Sequence, residues 1–389
     1  MNSNSKMNPK VKLVFGLSIL TYFQQGVEGL PAQGLFVFMK TKLGMTPQAI
    51  MWFGTFIGIA WLIKPVLGAI IDRFFGKKWW YFGAVLLSMV TCAFLAKLSL
   101  PIIFLGCLLA LLSTAASIRD ISVDGIAVCA GKANGICDKL QSVQWIAVTV
   151  GSLLVGIGGG YIAQYLPYQV GFMILIPIYA LAGCLILKYK PEAEQTKVTF
   201  GSVLVLFKDK RFILTCLFIF LYKYSPSFGT PLGFIIRDKF KWSEIFIGFL
   251  GTITAVMSII GALIYYRISK KIDPKKWITI SIWLGAITTL LYLYYTRYTA
   301  VGYDVVFSLT GMFFHLIIMS WMAENSVTGL ETTSFATLCA ISNLAGTAGS
   351  ASGAWLLPII GLPGLIILSA ATSFLCLPLA PIIFRKNNE

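Results

Sequence analysis

Arg119, Asp120 and Asp124 fall within six residues, near the end of an apolar run that begins at Pro101 and holds no earlier charge. On insertion scales a charge at bilayer depth costs roughly 2.5 to 3.5 kcal/mol, so such side chains turn toward protein or water and away from lipid. Asp120 and Asp124 are four residues apart, which sets both carboxylates on one helical face. Either Arg119 neutralises one of them and the cluster pins helices together, or the carboxylates line a polar site for a solute and hold a titrating proton. The second chemistry is the default for ionisable groups inside a membrane. Glu28, Lys64 and Lys223 stand in other apolar runs, and His315 and Glu324 share a further one. Lys64, Arg119 and Lys223 suit an anionic group, and Tyr22, Phe23, Tyr222 and Tyr224 offer faces for a planar ring. Asp120, Asp124 and Glu28, buried near cations, are the groups able to carry a proton. His315, a lone histidine on an apolar helix, reads as a packing group rather than a coupling one.

The elements that must position these groups follow from composition. Of 389 residues 57% are hydrophobic and 12% charged, half the charge of an ordinary soluble domain. This is the pattern of an all-α polytopic membrane protein, with the lipid bilayer as its solvent. The 31 Lys and Arg against 15 Asp and Glu lie in short clusters between apolar runs, which reads as topology and not as nucleic-acid binding. Eight cysteines lack Cys-x-x-Cys spacing and there is one histidine, so no metal site, cofactor or enzyme chemistry is expected. The first apolar run follows Lys6, Lys10 and Lys12 without a small-residue cleavage site and reads as a retained span.

About 20 apolar residues cross a bilayer, and that length predicts twelve transmembrane helices. Six run from about 13–37 to 168–187 and six from about 211–236 to 361–384. Residues 188–210 form the one long hydrophilic connection, dividing an N-terminal six-helix bundle (1–187) from a C-terminal one (211–389). With the N-terminus inside, the inner segments carry 21 Lys and Arg and the outer loops 7, which places both termini in the cytoplasm. The membrane itself is that of a bacterium, an organelle or the cell surface.

The two halves repeat. Lys42 to Thr55 is similar to Lys239 to Thr252 at an offset of 197, Trp79 matches Trp277 at 198, and Gly151-Ser152 matches Gly349-Ser350 at 198. Such parallel repeats enclose a solute site near the membrane midplane in secondary transporters. Gly26, Gly29, Pro31 and Gly34 surround Glu28, and Pro226, Gly229, Pro231 and Gly233 follow Lys223, so the first span of each half is expected to break. Gly151, Gly156, Gly158, Gly159 and Gly160, with Gly346, Gly349 and Gly353, read as close helix packing.

Between the second and third spans stand Gly68, Asp72, Arg73, Gly76, Lys77 and Lys78. This loop resembles the Gly-x-x-x-Asp-Arg-x-Gly-Arg-Arg motif of the major facilitator superfamily, with one extra residue between Arg73 and Gly76. The resemblance implies gating roles for these six residues. The preceding Lys64-Pro65, the Asp120-x-x-x-Asp124-Gly125 run, Tyr224-Ser225-Pro226-Ser227, Gly329 to Ala336 and Asn343 narrow it to the folate-biopterin transporter family. Where that family often carries an acidic residue after the aspartate pair, Cys129-Ala130-Gly131 stands here.

The resemblance implies a monomeric secondary transporter of folate, pterin or a similar planar anion, working by alternating access and proton symport. Glu28, Lys64, Arg119, Asp120, Asp124, Lys223, Tyr224, Glu331 and Asn343 are its substrate-binding or coupling residues. A pterin ring offers adjacent N–H donors that one aspartate accepts in a fork, and a glutamate tail needs a cation. No Walker-type run occurs, so a gradient or exchange drives transport. The alternatives are another small solute, such as S-adenosylmethionine, a nucleoside-like metabolite or a peptidoglycan fragment, and more distantly a membrane receptor or enzyme.

Overall fold

The computed structural model describes residues 8–97, 101–134, 136–190, 206–268, 271–324 and 331–383, and among them all regular structure is helical. The N-terminal part holds α1 (Pro9–Val27), α2 (Ala32–Thr41), α3 (Pro47–Leu62), α4 (Lys64–Arg73), α5 (Gly76–Lys97), α6 (Ile102–Asn134), α7 (Cys137–Tyr165) and α8 (Gln169–Leu187). The C-terminal part holds α9 (Lys210–Lys223), α10 (Gly229–Asp238), α11 (Glu244–Ile268), α12 (Pro274–Leu291), α13 (Ala300–Glu324), α14 (Glu331–Thr372) and α15 (Ala380–Ile383). Most of the connection expected at 188–210 lies outside the described residues.

Local chemistry sets the starts and breaks. Asn8-Pro9, Thr46-Pro47 and Asp273-Pro274 each place a capping side chain before a proline, and the caps accept from the amides of Lys10, Ala49 and Lys275. Proline costs nothing at a first helical position because its missing N–H would be unpaired there anyway. Pro31 cannot donate to a carbonyl four residues back, and the first span divides into α1 and α2 with Glu28 at the break. The second divides at Ile63, before Lys64-Pro65, and the seventh between Lys223 and Gly229. In α14 the chain turns at Gly361, whose φ of 65° favours glycine, just before Pro363. Eight helical stretches among the described residues are long and apolar enough to cross a membrane. Large apolar side chains such as Phe94, Leu181, Trp283 and Ile146 stand on the outside, as lipid contact requires.

The largest buried cluster draws on residues from Val14 to Ile186 and another on residues from Leu206 to Ile383. Between these parts α7 lies against α11 and α3 against α14. A Cβ on Gly160 would stand 2.7 Å from the carbonyl oxygen of Glu244, and one on Gly248 would stand 2.9 Å from the Cα of Gly160. Only residues without a side chain allow that approach. Within each part a glycine makes room for the broken span: Gly151 faces the Phe23 carbonyl and Gly26, and Gly349 faces the Ser225 carbonyl. Gly353 meets Ser227 in the same way, whereas Gly346 meets nothing within 4 Å.

Candidate functional site

The three charges of the 119–124 stretch do not form one cluster. Arg119, 1% exposed, turns into the N-terminal part and bonds Glu28 and the Ser88 hydroxyl, with its guanidinium 4.7 Å from the Tyr179 ring centre. The Tyr179 hydroxyl also donates to Glu28, at 3.0 Å. Glu28 can reach Arg119 because it sits at the gap between α1 and α2. Arg119 thus neutralises Glu28 and not one of its neighbouring aspartates, since successive helical residues point about 100° apart.

Asp120 and Asp124 share the other face. Lys64, the first residue of α4, bonds Asp120, which also accepts from Gln25 Nε2 at 2.6 Å. The same ammonium lies 4.4 Å from the Trp61 ring centre. Asp124 accepts from the Tyr22 hydroxyl at 2.8 Å and from Gln144 Nε2 at 3.3 Å, and no described cation lies within ion-pair distance of it.

The C-terminal part contributes Lys223, the last residue of α9, whose ammonium lies 3.1 Å from His315 Nδ1 on α13. The His315 ring meets the Trp145 ring of α7 edge to face at 5.3 Å, joining the two parts at this depth. Cys339 of α14, half-buried, packs against the apolar cluster of the C-terminal part. One turn further along α14, Asn343 lines a cavity of about 330 Å³ between α3 and α14, together with Gly54, Gly58, Trp61, Gly346 and Ser350. Tyr224 stacks on Phe220 and Tyr222 on Phe218, so both rings are engaged within the C-terminal part.

The side chains of Glu331, Asp72 and Arg73, and that of Glu324, lie outside the described residues. Of the other expected gating residues, Gly68 faces Ile121, Gly76 turns the chain into α5 with a φ of 73°, and Lys77 packs its stem over Gly125. Lys78 donates to the carbonyls of Leu187 and Tyr189 at the end of α8.

A second polar group lies at the opposite end of the bundle. Arg237 grips Glu244 with two bonds of 2.8 Å, Gln33 donates to the same carboxylate at 2.7 Å, and Gln164 accepts from the Glu244 amide at 2.8 Å. Lys40 bonds Asp238 beside them. In the sequence Lys40 and Arg237 read as topology alone, and Gln25, Gln144 and Gln33 carry no charge to mark them. A polar amide inside an apolar run was the available signal for these.

Paired and half-paired ionisable groups set among helices long and apolar enough to cross a membrane define a polytopic membrane protein. The shape agrees: the nucleoside transporter NupG superposes with a TM-score of 0.71 at 15% identity, covering 96% of this chain and 100% of that one. A D-xylose-proton symporter gives 0.73 at 14% identity, covering 96% and 97%. Both likenesses show the fold alone, and its long apolar helices are those of an integral membrane protein.

The sequence model of the BT1 family matches residues 25–388, and the chain belongs to that family. Its relatives include the "Folate-biopterin transporter" of Synechocystis sp., 26% identical over 366 residues, spanning 87% of this chain and 73% of the relative. "Folate transporter 2" of Plasmodium falciparum is 23% identical over 349 residues, spanning 84% and 76%.

Proposed function

We propose that this chain carries a folate, a pterin or a similar planar anion across a membrane by alternating access, coupled to protons. The observation that carries the reading is a pair of buried charges, Asp124 held by Tyr22 and Gln144 in one part and Lys223 held by His315 in the other, where the Trp145 ring beside Gln144 meets the His315 ring. A carboxylate without a fixed counter-ion accepts the adjacent N–H donors of a heterocycle, and a lysine without a described carboxylate accepts an anionic tail. The names of the family relatives point to the same chemistry. Asn343 and Trp61 extend the site along the cavity between α3 and α14.

Twelve spans follow if α1 with α2, α3 with α4, and α9 with α10 each form one crossing and α14 is divided at Gly361. The six before residue 188 and the six after residue 210 then rock against each other as a monomer. With cytoplasmic termini, the Glu244 group seals the outer side and the charged centre belongs to an inward-facing carrier. Asp72, Arg73, Lys77 and Lys78 hold the inner side when it closes.

Counterflow in vesicles reconstituted with the purified chain tests this. Vesicles preloaded with unlabelled folate should take up labelled folate faster than empty ones, and biopterin should compete. Stimulation by S-adenosylmethionine, nucleosides or muropeptides in place of both would assign another solute. No stimulation by any of them would end the carrier reading.

A further inference from the structure

The cavity between α3 and α14 has Gly54, Gly58 and Trp61 on one wall and Asn343 and Gly346 on the other, and its remaining lining side chains are hydroxyls, so no ionised group borders it. It faces the inside of the bundle. Trp52, Phe56 and Ile59 form an exposed apolar stripe on α3, and at about 100° per residue Gly54, Gly58 and Trp61 fall on the opposite side. At its Trp61 end the cavity adjoins the charged centre, because Lys64 lies over that ring and bonds Asp120.

The glycines here differ from those that join the two parts elsewhere. A Cβ on Gly156 would stand 2.5 Å from the Thr252 amide nitrogen, whereas one on Gly54 or Gly346 meets nothing within 4 Å, and one on Gly58 meets the Thr347 hydroxyl at 3.7 Å. The internal repeat pairs α3 with α11 and α14 with α7, which makes the α3–α14 junction the counterpart of the α7–α11 junction. In the latter the Ile157 amide donates across the junction to the Thr252 hydroxyl at 3.0 Å. The Thr55 hydroxyl, its counterpart at an offset of 197, turns back to the Met51 carbonyl of its own helix at 3.0 Å. One junction is shut and its counterpart keeps a space. Into that space Asn343 brings a donor and an acceptor side by side: its backbone carbonyl accepts from Thr347, but among the described residues nothing hydrogen-bonds its carboxamide.

We infer that this cavity takes the uncharged, flat ring of the solute and sets which rings the carrier accepts. Gly54, Gly58 and Gly346 keep open the room that the ring fills, the Trp61 indole bounds it, and Asn343 pairs with a donor–acceptor edge of the heterocycle. The assignment rests on the carrier reading above and says which end of the solute goes where. A charged tail is costly beside neutral groups alone and goes to a cation instead. Glycine backbone on both walls leaves no side chain in the way of a planar group. A volume of about 330 Å³ stands at the small end of ligand pockets, about 300 to 1,000 Å³, and suits one fused ring system better than a ring with its whole tail. A carboxamide matches adjacent N–H and acceptor atoms of a heterocycle as it does a nucleobase edge.

Calorimetry on the purified full chain measures ring and tail apart, with biopterin as the ring and p-aminobenzoylglutamate as the tail. Gly346→Val fills the cavity and should weaken biopterin at least about tenfold while p-aminobenzoylglutamate stays within about twofold. Asn343→Leu should weaken biopterin about fivefold and spare the tail. Gly83→Val is the control, since a Cβ there also meets nothing within 4 Å but on an exposed position of α5, and both compounds should bind as in wild type. Gly54→Ala and Gly346→Ala should melt no lower than wild type, because alanine favours a helix and finds open space; a clear loss would make these packing glycines and overturn the inference. Unchanged biopterin affinity in Gly346→Val would overturn it too, and counterflow lost in that same variant would assign the glycines to closure of α3 on α14. A loss shared equally by the tail compound would also overturn it. If wild-type protein binds neither compound, the carrier reading for this solute class fails, and the ring assignment falls with it.

Discussion

Lys64 and Asp120 join α4 to α6 through one ion pair inside the membrane region, with side chains 21% and 8% exposed. The ammonium also lies over Trp61, and Gln25 completes the carboxylate. Removing one partner of such a pair leaves the other charge in a poor solvent, which costs about 3 kcal/mol when water reaches the site in part. Asp120→Asn should therefore lower the melting temperature of the detergent-purified protein, and adding Lys64→Gln should recover most of the loss. A double variant no better than Asp120→Asn would mean that the pair is not what Lys64 depends on.

Arg119 should not tolerate its nearest relative. Its guanidinium spans Glu28, Ser88 and the face of Tyr179 at once. A lysine ammonium concentrates its donors at one point and cannot also lie flat on a ring. Arg119→Lys should cost about 1 to 3 kcal/mol through the lost bonds. Glu28→Gln should cost more, because it leaves a fully buried guanidinium without a counter-ion. Thermal melting of both variants against wild type ranks the losses, and the opposite order would show that Ser88 and Tyr179 hold Arg119 unaided.

Much of this site was legible in the sequence because charge inside an apolar run has few explanations. Glu28, Lys64, Arg119, Asp120, Asp124 and Lys223 stand out by type alone, and Gly29, Pro31 and Pro226 announce the breaks that bring Glu28 and Lys223 to the ends of helices. The matched Gly151 and Gly349 proved to do the same work, each admitting a backbone carbonyl of a broken span. Partnership was not legible. Helical spacing says that Asp120 and Asp124 share a face, but not that Lys64 crosses to Asp120 or that Arg119 finds Glu28 ninety-one residues away. Neutral partners such as Gln144, Trp145 and Gln25 carry no signal strong enough to separate them from ordinary packing residues.

The approach of α7 to α11 should be sensitive to a single methyl group. A Cβ on Gly248 would meet the Gly160 backbone, which cannot swing aside as a side chain would. Overpacking of this kind costs about 1 to 3 kcal/mol, and only in the arrangement that closes this end. Gly248→Ala should therefore shift the population toward forms opened there. Alkylation of Cys339 by a membrane-impermeant reagent added from that side should speed up, read on the Cys339 peptide by mass spectrometry. An unchanged rate would show that the two helices part too little to matter.

The same readout separates the two ion pairs of that end. Arg237 and Glu244 are each 13% exposed and share two bonds, and Gln33 and Gln164 from the N-terminal part fasten onto Glu244 as well. Asp238, by contrast, is 58% exposed opposite Lys40. Solvent screening leaves a pair of the second kind worth at most about 1 kcal/mol, whereas a sheltered bidentate carboxylate that also anchors two amides holds far more. Glu244→Gln should raise Cys339 alkylation from this side several-fold, and Asp238→Asn should leave it within about twofold of wild type. Equal effects from the two variants would mean that net charge at this end, rather than the Glu244 hub, keeps it shut.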